Sequence, residues 1–339
     1  MKEAYALKID SYSHIAPPKY KDFLYKIAPE QVDTKINNNP SLYDLEYRFR
    51  LMDPYEPLRQ VLTLAWPPLE EVAGPEKTPE LARVANDEMA QLVAKYPERF
   101  VTAIAALPIN NMDAALKEAE RAVRDLRLRG VYIHTPVCDK PLDLPEFFPL
   151  YEMMSTYDLP IFIHPMRLID YPDYRTEGES KFNMQGTFGW PYETTAFMAR
   201  MVFSGVMEKY PHLKIVTHHC GGMVPFFADR IEELSYLWER GLARFKGERP
   251  VMTKAIIDYF RLFYADTALY GNPSALMCGY QFFKADHLLF AADFPLGDTE
   301  RGAKNLRKTV NAIEHMDITK SERKQIYEDN ARKLMRLSS

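Results

Sequence analysis

Leu159–His164, which Pro165 follows in LPIFIHP, is a short apolar run that ends on a histidine. A run of this kind suits a parallel strand covered on both faces, with the histidine left at the strand lip. Seven more runs share the pattern: Ala6–Ile15, Gln60–Ala65, Val101–Leu107, Gly130–His134, Leu213–His218, Phe263–Thr267 and Leu288–Asp293. Amphipathic segments separate them. Thr78–Tyr96 lies between Pro79 and Pro97, and Asp113–Asp125 puts Ala and Leu on one face and charges on the other. Tyr192–Lys209, Val224–Arg240, Asn272–Phe283 and Glu300–Met316 follow, and Ser321–Leu337 closes the chain with strong helix formers.

Strand and helix alternating eight times predicts an α/β fold of the (β/α)8 TIM-barrel type. An open doubly wound sheet would need a glycine-rich phosphate turn after its first strand, and SYSHIAPP is not one. The chain has 339 residues and 25 prolines, and the prolines gather in the connections, so we expect elaborated loops on one domain spanning 1–339. An irregular stretch is expected from the first strand to about Leu42, and Tyr171–Gly189 is expected to form a rim or lid.

A net charge of -4 without any basic stripe argues against a nucleic-acid partner. No apolar run is long enough to span a membrane, and MKEAYALKID has no signal-peptide core. Cys138, Cys220 and Cys278 show no metal-knuckle spacing, so the expected setting is the reducing cytoplasm.

In a barrel the chemistry sits where strands end. His14, His134, His164, His218 and His219 all fall there, as do Asp266 and Asp293, whereas His212, His287 and His315 do not. Each has a bland reading as a hydrogen-bonded turn residue. Together, His14, His164, His219 and Asp293, from strands one, five, six and eight, are hard to ascribe to packing. Successive strand residues point to opposite sides, so only one of His218 and His219 is expected to face the interior. Cys220-Gly221-Gly222 reads as a tight turn after them. His and carboxylate side chains from different strands suit zinc or another divalent ion with an open position. His134 and Asp266 are expected to support or join the chemistry.

These segments, in this order, resemble the amidohydrolase-related (amidohydrolase 2) decarboxylases and hydrolases, which include aminocarboxymuconate-semialdehyde decarboxylase and γ-resorcylate decarboxylase. The similarity rests on KIDSYSHIAPP, on RFRLMD at Arg48–Asp53, on IFIHP, on GWPYETTAFMARMVFSGVMEKYPHLKIV, on HCGGMVPFFADRI, on FAADFPLG and on YEDNARKLMRL. The resemblance implies one divalent metal held by an HxH pair after strand one, a His after strand five and an Asp after strand eight. It places His14, His164 and Asp293 as ligands and His219 as the catalytic histidine, while His218 falls on a position not catalytic in the relatives. Arg48 and Arg230 match positions that bind substrate carboxylate, Arg230 partly through a homodimer interface. The chain departs from the pattern at Tyr12, which stands where the first His of the pair is expected. A phenol is a poor zinc ligand at neutral pH, which leaves three protein ligands.

The expected reaction is metal-assisted, non-oxidative decarboxylation of a small aromatic or unsaturated carboxylic acid, with zinc first and manganese second. Asp293 or His219 would protonate the carbon that loses carbon dioxide. Arg48 and Arg230 would orient the acid, and Tyr12 and Trp190 would contact it. Trp66, Trp190, Phe188, Tyr192 and Phe294 could add aromatic walls, with at least half of these aromatics expected to be core or rim packing instead. The alternatives are hydrolysis or hydration of a lactone, amide or enoic acid, with or without metal, and, more remotely, a non-catalytic ligand-binding barrel.

Overall fold

All eight runs form strands, and every paired neighbour is parallel in the computed structural model, which describes residues 7–241, 249–296 and 301–337. They are β1 (Lys8–Ile15), β2 (Leu58–Leu64), β3 (Phe100–Ala103, continued by Ala105–Ala106), β4 (Val131–Thr135), β5 (Ile161–Pro165), β6 (Ile215–Thr217), β7 (Tyr264–Asp266) and β8 (Leu288–Leu289). β3 breaks at Ile104 because its partner changes there. Ile104 N–H donates to Leu62 O of β2 at 2.8 Å, and Ala105 N–H to Gly130 O beside β4 at 3.0 Å.

The sheet closes between its first and last strands. Ser11 N–H donates to Phe290 O at 2.8 Å, His14 N–H donates to Phe294 O at 2.7 Å, and Ser13 bridges Phe294 in parallel. Past Leu289 the chain leaves regular pairing and side chains take over. Thr267 Oγ1 bonds both the N–H and the C=O of Ala291 at 3.0 Å, and Asp10 Oδ1 accepts from Ala292 N–H at 3.2 Å.

One layer fills the barrel: Ile9, Val61, Ile104, Tyr132, Phe162, Val216 and Leu289, one residue from each of seven strands, with Tyr12 and Ala291 above. Ala331, Leu334 and Met335 of the closing helix plug its lower end. Ile9 and Tyr12 are three residues apart, so a regular strand would turn them to opposite faces. The register jumps from Asp10↔Gln60 to Ser13↔Leu62, three steps against two. This one-residue bulge re-aims Tyr12 and His14 inward.

The outer helices are α1 (Pro18–Ile27), α2 (Leu45–Met52), α3 (Thr78–Lys95), α4 (Met112–Arg124), α5 (Phe148–Tyr157), α6 (Trp190–Phe203), α7 (Ala228–Glu239), α8 (Pro273–Phe283), α9 (Arg301–Glu314) and α10 (Asn330–Met335). α1 falls in the stretch expected to be irregular. Pro18 at its first position presets helical φ, and Tyr20 and Leu24 are buried with Leu81, Ala82 and Ala85 of α3. The expected strand start at Ala6, the expected helical start at Glu300 and the end of FAADFPLG at Gly297 lie outside the described residues.

Candidate active site

His14, His134 and His164 emerge at the ends of β1, β4 and β5, with His134 and His164 directly paired across the ladder. β6 stops at Thr217. His218 is still extended (φ -81°, ψ 161°), but His219 and Cys220 adopt left-handed φ of 53° and 54°. The chain therefore reverses just where period-two alternation would have sent one histidine outward. Both rings face the centre, with centroids 3.9 Å apart, which corrects the expectation that only one would. Gly221 and Gly222, at φ of 73° and 62°, complete the turn as expected.

Asp293, itself at φ 57°, is the hub. Its Oδ1 lies 3.1 Å from His14 Nε2 and 3.2 Å from His218 Nε2. His14 Nδ1 meets Thr63 Oγ1 at 3.2 Å. His164 Nδ1 donates to Pro165 O at 2.7 Å, which leaves Nε2 as its free nitrogen. His218 Nδ1 bonds Asp266 Oδ2, and Asp266 Oδ1 accepts from Cys220 N–H at 3.1 Å and Ala268 N–H at 3.0 Å. Asp266 thus supports His218, one of the two roles, supporting or direct, left open for it.

Burial sets the charge states. It pushes His164 well below the ordinary imidazole range, helped by the histidines around it, and lowers His219 and His134 to about 3. Burial also opposes charge on His218, but the Asp266 carboxylate, then Asp293, outweighs it and raises the group to about 10. For Asp293, burial disfavours the ionised form, yet hydrogen bonds from His14 and His218 overcome it and hold the carboxyl well below its ordinary range. The neutral imidazoles of His164, His219 and His134 and the ionised Asp293 are in the forms that bind metal, whereas His218 would bind one only after Nε2 gives up its proton. Among the described residues, two triads have ligand atoms within 4.8 Å of one another: His14, His164 and His218, and His218, His219 and Asp293.

Above the cluster opens a cavity of about 1010 Å³. His219 lines it, with an Nδ1 that has no partner, together with Trp66, Met166, Arg167, Trp190 and Tyr270. Asn183, Gln185, Gly186 and Thr187 contribute from the long segment expected to form the rim.

The proposed substrate contacts divide. Trp190 is on the cavity wall, its ring 5.4 Å from His164 and 6.3 Å from His219. Tyr12 is fully buried beneath the cavity, stacked on His218 at 4.1 Å, and its hydroxyl has no partner. Arg48 is buried in the barrel wall. Its Nη1 donates to His14 O at 2.7 Å, its Nε to Gln60 Oε1 at 2.8 Å, and its guanidinium lies over Phe294. Arg230 is exposed on α7, and neither arginine is among the cavity-lining residues. Of the expected aromatic walls, Trp66 and Trp190 line the cavity, whereas Phe188 and Tyr192 are exposed and Phe294 is buried. Sequence reasoning missed Arg167, Lys35 and Tyr270. Arg167 follows His164 by three residues, and that proximity was its only signal. Tyr270 faces Asp293, whose charge pushes the phenol above its ordinary range.

Comparisons with known proteins agree with this architecture. A γ-resorcylate decarboxylase of Polaromonas sp. strain JS666 is 30% identical over 298 residues, 86% of this chain and 87% of that protein. The 2-amino-3-carboxymuconate-6-semialdehyde decarboxylase of Dictyostelium discoideum is 28% identical over 244 residues, 67% of this chain and 66% of the relative. Among solved structures, a dihydroxybenzoic acid decarboxylase from Polaromonas sp. JS666, with bound manganese and the inhibitor 2-nitroresorcinol, superposes with a TM-score of 0.78 at 26% identity, covering 98% of this chain and 97% of that one. The amidohydrolase family pattern matches residues 29–337, nearly the whole length, and the chain belongs to that family.

Proposed function

We propose that this enzyme is a non-oxidative decarboxylase of a small aromatic or unsaturated carboxylic acid, assisted by one divalent metal ion. The observation that carries the reading is His219, a buried neutral histidine with an unpartnered nitrogen on the wall of a roomy cavity, directly beside the His/Asp cluster. His14, His164 and Asp293 would hold the ion, zinc or the manganese seen in the Polaromonas structure. When bound, it would draw electron density from the substrate carboxylate or an adjacent hydroxyl.

The residues of the chain do the rest. Trp66 and Trp190 offer flat apolar walls that suit a planar acid and exclude water. Arg167 and Lys35 are cations on the wall that can orient the carboxylate. The carbon–carboxylate bond breaks, carbon dioxide leaves, and the electron pair stays on the carbon, which must take up a proton. His219 is placed to deliver it. Burial makes its imidazolium a strong acid, and the arriving substrate anion favours its protonation. The relatives' substrates, and the aromatic cavity walls, support this reading over hydrolysis. We place the enzyme in the cytoplasm as a homodimer. Three free cysteines support a reducing compartment, and among the described residues no helix is long and apolar enough to cross a membrane.

The test is carbon dioxide release from metal-reconstituted protein given 2,6-dihydroxybenzoate and a panel of related hydroxylated aromatic and unsaturated acids. Turnover on at least one acid, reduced about 10²- to 10⁴-fold in His219→Asn, is the expected outcome. Hydrolysis of a lactone with no carbon dioxide from any acid would overturn the reading.

A further inference from the structure

We infer that His218 is itself a metal ligand in this chain and fills the coordination place left by Tyr12, with Asp266 as its positioning carboxylate. This rests on the metal-assisted reading above and adds to it a ligand from β6.

Position comes first. The His218 ring stacks on Tyr12 with centroids 4.1 Å apart and planes at 22°. It therefore lies face to face with residue 12, the position at which the HxH pattern has its first histidine. Tyr12 meanwhile packs into the apolar layer, 5.4 Å from Phe162 and 6.0 Å from Tyr132. His218 is also the residue common to both triads of converging ligand atoms, one with His14 and His164, the other with His219 and Asp293.

Orientation comes second. A metal-binding histidine ordinarily gives its other ring N–H to a carboxylate, which fixes the tautomer and the ring plane. His218 Nδ1 bonds Asp266 Oδ2, and two backbone N–H groups hold Asp266 Oδ1, from Cys220 at 3.1 Å and Ala268 at 3.0 Å. The carboxylate is locked, so the Nε2 it leaves free points inward, 3.2 Å from Asp293 Oδ1. The left-handed residues His219 and Cys220 allow this ring to face inward alongside His219. The same geometry has a metal-free counterpart in which a His218 imidazolium bridges Asp266 and Asp293, and the experiment separates the two.

Metal-stripped parent, His164→Ala, His218→Ala, Asp266→Asn and His218→Ala/Tyr12→His are titrated with Mn²⁺, free ion being read by electron paramagnetic resonance. Cobalt(II)-loaded samples give the visible ligand-field spectrum, and far-UV circular dichroism checks the fold. His218→Asn replaces the alanine variant if that one does not fold. We expect one ion per chain in the parent and a loss beyond about 100-fold without His218. Asp266→Asn should lose about 10- to 100-fold, as a carboxylate behind a ligand does. Tyr12→His should recover much of the loss. A folded His218 variant with parental affinity and cobalt spectrum overturns the inference while the metal reading stands, as does a folded double variant with no recovery. A parent that binds no ion overturns both.

Discussion

Arg48 and Asp10 carry charge into the barrel wall without reaching the cavity. The guanidinium of Arg48 holds the backbone carbonyl of His14, so its effect on the site passes through the position of a neighbour. Asp10 holds Ala292 N–H just past the end of β8, and burial raises its carboxyl to about 7. The folded chain therefore binds that proton more tightly than the unfolded one. Stability from this group is complete below the unfolded pKa, about 3.9, and is lost as pH rises through about 7. Asp10→Asn keeps the acceptor and cannot ionise. In urea unfolding the variant should match the parent near pH 4 and exceed it by a few kcal/mol near pH 8, since each tenfold difference in proton affinity between the folded and unfolded chain is worth about 1.4 kcal/mol. A gap that does not change with pH would refute this. Neither role was legible in the sequence: RFRLMD marks Arg48 as notable, but the direction of its side chain depends on Gln60 and Phe294, supplied by other elements.

The turn after β6 is the element on which the site depends. Cys220-Gly221-Gly222 was legible as a tight turn, because adjacent glycines permit φ that other residues avoid. Its consequence for His218 and His219 was not, because the strand ends one residue before the pair and alternation ends with it. Gly222 has φ 62°, and a Cβ there would lie 2.3 Å from Pro191 O at the start of α6. That carbonyl belongs to a helix and cannot yield easily. Gly222→Ala should therefore lose at least about 2 kcal/mol from combined left-handed strain and overpacking. Melting temperature and turnover should drop together, because the same turn aims His219. Gly186→Ala is the control. It lines the same cavity, but its Cβ would come no closer than 3.5 Å to a neighbour and it sits in a helical turn, so stability should hold or rise by up to about 1 kcal/mol.

Across the whole molecule, the barrel brings together groups that are costly to bury apart: five histidines and two aspartates, all nearly inaccessible. An ion that binds only the folded chain stabilises it by mass action, about 2.7 kcal/mol at a hundredfold excess over Kd. Adding Mn²⁺ or Zn²⁺ to stripped protein should raise the melting temperature, a chelator should reverse the rise, and His164→Ala should show neither. Parental insensitivity to both treatments would count against the metal site. What the sequence determined by itself is local. Apolar runs of about five to ten residues and the amphipathic segments between them encode eight strands, and the polar residues at or just past the ends of those runs name His14, His164, His219 and Asp293. The tertiary structure alone decided which groups meet. His14 and Asp293 are 279 residues apart, and His218 and Asp266 are 48 apart. A bulge in β1 and a left-handed turn after β6 set the facing of their side chains. Periodicity is written in neighbouring residues, whereas ligand direction, the partner of a buried charge and the lining of a cavity follow from contacts made only when the barrel closes.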